Sequence, residues 1–314
     1  MLSLSLLAPL SLWYDPVSRF GLPVDTAPQA ATASPLICFI PGLDGTTASP
    51  FVQWPPLVNA GYRIRVYDAR AEPVAATIDA EVGCILDFLR EADAPQTLLM
   101  GESYGGVVAA SAALREPSLV SSLVLVNPAS AFSEMPSLQA DARTLSKVPQ
   151  ALFPAASFAL LGRKTFDAGF VATAVRDVLV ERKLEKLRES EPALAAYYDA
   201  ALAHLVDEIS SQPPKCWFDA RFANLRAGCG LLEEGWEALQ PPLLVVAGTA
   251  DALLRSDVEA ARLAARLGPQ RCSVHLVEGA GHAGTLDARC DLRAVIGRWE
   301  AERAARRGGA VAAS

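Results

Sequence analysis

Three histidines, six cysteines and a shortage of basic charge narrow what this 314-residue chain can do. Lysine and arginine total 28 against 35 aspartates and glutamates, a formal charge of −7. With no basic surplus to neutralise phosphates, nucleic acid is not an expected partner. The cysteines have no regular spacing and describe no disulfide scaffold. Cys38 and Cys272 lie in apolar strand-like runs and read as buried small hydrophobes. No apolar run approaches the ~18 residues that a membrane span requires. What the chain does have is 51% hydrophobic against 20% charged residues, enough to bury a full core in one large domain or two modest ones.

The amino-terminal MLSLSLLAPLSLWY is apolar. It lacks the positive n-region of a secretory signal and the arginines of a transit peptide. Residues 1–34 therefore read as a packing arm, with a degenerate or truncated targeting segment as the alternative. The closing RAARRGGAVAAS reads as the fraying end of a helix, with a tail over 306–314.

Between these ends, apolar runs alternate with helical segments. Strands are expected in PLICFIPG (Pro35 to Gly42), YRIRVYDA (Tyr62 to Ala69), TLLMGES (Thr97 to Ser103), SSLVLVNPA (Ser121 to Ala129), PPLLVVAGTAD (Pro241 to Asp251) and CSVHLVEGAG (Cys272 to Gly281). Helices are expected over Asp79 to Glu91, Gly105 to Arg115, Asp257 to Leu267 and Asp287 to Arg303, the last two capped by their aspartates. Such alternation makes an α/β protein with a mostly parallel sheet covered on both faces, whose reactive residues gather after the carboxyl ends of the strands. The alternation stops between Asn127 and Gln240, where the text is helical. Residues 131–238 thus read as a helical cap inserted between core segments 35–130 and 239–305.

Gly101-Glu102-Ser103-Tyr104-Gly105 matches G-x-S-x-G between an expected strand and an expected helix. The pattern puts a nucleophilic serine in a strained turn, where bulk two residues to either side would strike the neighbouring strand and helix. Ser103 would also lie at a helix start, whose free amides and dipole favour a developing oxyanion. A hydroxyl needs a base, and the base needs a group that fixes its tautomer. His204 falls in the cap and reads as structural; His275 falls in mid-strand. His282, among the small residues of GAGHAG after the last strand, is the base. The acid should follow an earlier strand, which selects Asp251 in VVAGTADALL over Asp257, read as a helix cap. For the oxyanion hole, the amide of Tyr104 is one expected donor. The other is Leu43 in IPGLDGTT, with Asp44 as the neighbouring alternative. Gly42 and Gly45 permit the bend there, and the Asp44 side chain is expected to order the turn.

These residues resemble the α/β-hydrolase superfamily. More narrowly, FIPGLDGT, GESYGG and VLVNPASAF resemble the plastid esterase/lipase/thioesterase family that includes the phytyl ester synthases. In that family Pro-Gly-(Ile/Leu)-Asp-Gly replaces the His-Gly of common lipases, matched here by Pro41 to Gly45; GESFGG is matched by Gly101 to Gly106 and Asn-Pro-Ala-(Ser/Thr)-x-Phe by Asn127 to Phe132. The resemblance implies a serine hydrolase acting on lipophilic, phytyl or glycerolipid-type esters, or an acyltransferase, in a plastid. Plant members carry a following acyltransferase-like domain with a His-x4-Asp motif. His282 and Asp287 spell that motif by coincidence, and hydrolysis is the expectation.

The expected chemistry is attack by Ser103, proton transfer by His282 and support from Asp251, with no cofactor or metal. A small-molecule or lipid ester is the partner, with peripheral membrane contact where the substrate is a lipid. Phe153, Phe158, Leu160, Leu161, Phe166 and Phe170 would receive a lipophilic chain or form the cap's own core. A cofactor-free haloperoxidase or a C–C hydrolase would share the triad. A ligand receptor on the same fold, hydrolysing slowly or not at all, is the reading from a different class.

Overall fold

Apolar runs bounded by turn residues become the strands of one sheet: β1 (Trp13–Tyr14), β2 (Leu36–Ile40), β3 (Arg63–Tyr67), β4 (Thr97–Glu102), β5 (Ser122–Val126), β6 (Leu243–Gly248) and β7 (Cys272–Val277). The structure is a computed structural model that describes residues 12–23, 34–71, 77–92, 94–165, 183–287 and 289–312. The strand order is β1-β3-β2-β4-β5-β6-β7; β1 runs antiparallel to β3 and every other pairing is parallel. All six expected strands are present. The seventh, β1, is two residues of the amino-terminal segment, held by pairing with Val66 and Tyr67 and by Trp13 stacking on Phe88 at 4.2 Å between centroids. Calls on residues 1–11 and 24–33 of that segment lie outside the described residues.

The central strands are buried on both faces, which is why they read as unbroken apolar runs. Cys38, Ile40, Leu99, Leu123, Leu125 and Val245 face one core, while Ile37, Phe39, Met100, Val124, Val126 and Val246 face the other. Cys38 and Cys272 are both buried there.

Helices Ile78–Glu91 and Tyr104–Arg115 begin within a residue of expectation, the first capped by Thr77 through the Ala80 amide. Two expected caps are not caps. Helix Ser256–Leu267 starts from Arg255, which has φ of 49°, because Asp251 takes up the Ser256 hydroxyl and the amides of Leu253 and Leu254. Asp257 is left in the first turn, where an acid still suits the helix dipole. Asp287 is engaged by the amide and guanidinium of Arg289, so the last helix begins later, at Leu292, with Asp291 accepting from the Ala294 amide. That helix continues to Ala312 through the segment expected as a tail from 306. The short helix Trp54–Asn59 was not legible in the sequence.

Between β5 and β6 the described chain is helical, with Pro136–Leu145, Phe153–Ser157, Lys183–Ser190, Pro192–Ser210 and Lys215–Gly235. Among the described residues, no helix is long and apolar enough to cross a membrane.

Candidate active site

β4 ends at Glu102 and the next helix begins at Tyr104, leaving one residue to turn the chain. Ser103 makes that turn with φ 55° and ψ −118°, a strained backbone for a non-glycine residue. Its amide donates to the Val126 carbonyl at 3.0 Å, so sheet pairing persists up to the turn. The flanking glycines are dictated by space. A Cβ on Gly101 would lie 2.2 Å from the Gly105 carbonyl oxygen, and one on Gly105 would lie 2.1 Å from that of Ile40. Both obstacles are backbone and cannot move aside.

His282 comes from the loop after β7. Its Nε2 is 3.1 Å from Ser103 Oγ and its Nδ1 is 2.9 Å from Asp251 Oδ2. Asp251 is fixed in turn by the amides of Leu253 and Leu254 at 2.9 and 3.0 Å and by the Ser256 hydroxyl at 2.5 Å. The small residues of GAGHAG bring this loop close. A Cβ on Gly284 would meet Asn127 Nδ2 at 2.7 Å, and one on Gly248 would meet the Ala280 carbonyl at 2.4 Å. Asn127, itself at φ 43°, donates from Nδ2 to the carbonyls of Gly281 and His282 at 3.1 and 2.9 Å and accepts from the Gly248 amide at 2.8 Å.

Burial opposes charge on Asp251, but the imidazole beside it, with the Ser256 hydroxyl and Leu254 amide, outweighs burial and pulls the carboxyl down to about 2. For His282, burial disfavours the imidazolium; the Asp251 carboxylate outweighs it, aided by Glu102 and Asp44, and holds the ring above the ordinary histidine value.

Gly42 lies against Ser103: a Cβ there would sit 3.7 Å from the serine Cβ. The Gly45 amide closes the turn onto the Gly42 carbonyl at 3.0 Å, with Gly45 at φ 70°. Asp44 orders this turn, accepting from the Thr46 amide and hydroxyl at 3.2 and 2.6 Å. Tyr104 begins its helix, so its amide has no intrahelical acceptor.

Ser103, His282, Gly42, Leu43 and Tyr104 border a cavity of about 400 Å³. Leu138, Phe158, Leu161, Phe218, Phe222 and Leu225 supply much of its apolar wall. Phe158 is 63% exposed, whereas Phe153 is buried against Phe218 in the same core cluster as the sheet residues Leu99 and Leu123. Leu160 packs half-buried on the core, and Phe166 and Phe170 lie outside the described residues. His204 stays in helix Pro192–Ser210, its Nε2 3.5 Å from Glu208 Oε1, and His275 stays in β7. Asp287 is tied to Arg289.

Sequence reasoning missed the residues that hold the site: Glu102, Thr285, Asn127, Ser256, Glu81 and Arg221. Only Glu102 and Asn127 carried any signal, as the variable position of G-x-S-x-G and as the first residue of the Asn-Pro-Ala run. Thr285, Glu81 and Arg221 act across long sequence separations, and Ser256, five residues from Asp251, lies in no recognisable pattern.

Residues 39–295 match the alpha/beta hydrolase family. Phytyl ester synthase 1, chloroplastic, of Arabidopsis thaliana is 29% identical over 293 residues, a match covering 90% of this chain and 38% of the plant protein. The chain thus spans well under half the length of that relative. Among solved structures, an alpha/beta hydrolase enzyme from a Medee basin deep-sea metagenome library aligns with a TM-score of 0.59 at 16% identity, covering 84% of this chain and 88% of that one. The monoacylglycerol lipase of Paleococcus ferrophilus aligns at 0.53 and 18% identity, covering 85% and 95%. Naproxen esterase of Bacillus subtilis aligns at 0.52 and 17%, covering 85% and 83%. At these identities the solved structures speak for the fold.

Proposed function

The chain belongs to the alpha/beta hydrolase family, and on that premise we propose that it is a serine hydrolase cleaving carboxylic esters of lipophilic acyl groups. The observation that carries this reading is the line Ser103 Oγ, His282 Nε2, His282 Nδ1, Asp251 Oδ2, with gaps of 3.1 and 2.9 Å and the serine on the strained turn. His282 takes the Ser103 proton as the oxygen attacks the acyl carbonyl. The tetrahedral oxyanion is received by the amides of Leu43 and Tyr104. Collapse releases the alcohol, which leaves with the proton from His282. Water, deprotonated by the same ring, then attacks the acyl-serine and regenerates the hydroxyl. Asp251 stabilises the imidazolium in both halves.

The apolar wall of the cavity supports a lipophilic acyl chain, because burying each methylene contributes about 0.8 kcal/mol. On this reading, residues 131–238 serve as a cap over a core formed by 35–130 and 239–305. Purified protein assayed against p-nitrophenyl esters of increasing chain length should give a kcat/KM that rises from acetate towards longer chains. Ser103→Ala should abolish turnover while retaining ligand binding. A variant as active as the parent sinks the proposal.

The same residues would support acyl transfer if an alcohol replaced water, and the plant relative bears the name of an ester synthase. A long-chain alcohol added to the assay would then divert product from free acid to new ester.

A further inference from the structure

The carbonyl of Gly42 and the amide of Leu43 belong to one planar peptide and point in opposite directions. Whatever holds that carbonyl therefore aims that amide. Arg221 Nη1 donates to the Gly42 carbonyl at 3.2 Å and to the Leu43 carbonyl, also at 3.2 Å, while Trp217 Nε1 reaches the latter at 3.3 Å. The second contact fixes the next peptide, which carries the Asp44 amide. On its other side, Arg221 Nη2 donates to Glu81 Oε1 at 3.1 Å. The guanidinium carbon lies 4.1 Å from the centroid of the Tyr104 ring, and the Tyr104 hydroxyl donates to the remaining oxygen of Glu81. One side chain thus touches both segments whose amides flank Ser103.

Arg221 is fully buried and does not border the cavity, whereas Gly42, Leu43 and Tyr104 do. A buried ion pair by itself adds little to stability over apolar packing. A planar fork of five donors can, however, satisfy two carbonyls and a carboxylate together while stacking on an aromatic ring, which an ammonium cannot do. Resting on the reading of Leu43 and Tyr104 as oxyanion donors, we infer that Arg221 is a positioning residue: it aims the Leu43 amide, braces the Tyr104 ring beside it, and makes the oxyanion site depend on helix Lys215–Gly235. The insertion would then complete the catalytic apparatus as well as wall the cavity.

Two variants test this without leaving a lone buried charge. Arg221→Lys keeps a cation beside Glu81 but loses the fork; the double variant Glu81→Met/Arg221→Met removes the pair together. Each is assayed for kcat and KM on a long-chain ester, and for affinity towards a trifluoromethyl ketone and a long-chain alcohol of matching length. The ketone forms a tetrahedral oxyanion on the serine; the alcohol only fills the cavity. The expected result is a fall in kcat of about 10- to 100-fold, the scale of a misplaced oxyanion donor. Ketone affinity should fall in proportion, with KM and alcohol affinity little changed. Wild-type kcat and ketone affinity in either folded variant would overturn the inference, as would equal losses for ketone and alcohol. Failure of the esterase reading is separately visible, since the parent protein would then neither turn over ester nor bind the ketone.

Discussion

Glu102 holds Thr285 by both of its donors: the Thr285 amide reaches Oε1 at 2.9 Å and the hydroxyl reaches Oε2 at 2.7 Å. The Ser49 hydroxyl adds a third bond to Oε2 at 3.1 Å. A buried carboxylate beside the serine thereby ties the loop bearing His282 to the loop that follows Gly42-Leu43.

Glu102→Gln preserves shape but turns one acceptor into a donor facing groups that already donate. Leaving such buried groups unsatisfied costs about 1–3 kcal/mol each. We expect kcat to drop by about tenfold or more, on the scale of a displaced catalytic geometry. Glu102 also favours the imidazolium of His282, so the acid limb of kcat/KM should move to lower pH in the variant. A pH–rate profile identical to that of the parent would refute this role.

The pH dependence of the parent follows from the same charges. The proposed mechanism needs neutral His282, and the Asp251 carboxylate holds the ring above its ordinary value. Activity should therefore fall on acidification with a midpoint above the unperturbed value of about 6.5. The linkage to stability has the matching sign. The imidazolium contribution is present in full below about 6.5 and disappears as pH rises through the higher folded value. The Asp251 contribution is present above the unfolded carboxyl value of about 3.9 and is lost as pH falls through about 2. Activity that stays flat well below pH 6 would argue against a histidine base.

Two glycines should respond in opposite directions to the same change. Gly105→Ala forces a Cβ to 2.1 Å from the Ile40 carbonyl and should destabilise the fold by about 3 kcal/mol or more. Gly83 lies within helix Ile78–Glu91 with open space around it, and Gly83→Ala should stabilise by up to about 1 kcal/mol. Thermal unfolding of the two variants measures the contrast; similar shifts in both would show that backbone packing at the turn is not limiting.

The strands were legible because β2, β4, β5 and β6 are buried on both faces and so consist of almost uninterrupted apolar residues. Ser103, Asp251 and His282 were legible because each follows a strand in a local sequence pattern: G-x-S-x-G, VVAGTAD and GAGHAG. Strand β1 was not, since two residues carry no periodicity and their place is set by Tyr67, Val66 and Phe88. The helix starts at Ser256 and Leu292 were misread because Asp257 and Asp287 look like caps, whereas tertiary partners fix the chain otherwise. Arg221 was invisible for a stronger reason. It lies 179 residues from Gly42, and a lone arginine in a helical segment gives no sign of being buried against two carbonyls.

The most direct test is covalent. Folded protein treated with a fluorophosphonate, digested and mapped by mass spectrometry should carry one adduct, on the peptide containing Ser103, and labelling should stop with His282→Ala. An adduct on another serine, or no adduct on folded protein, would contradict the account.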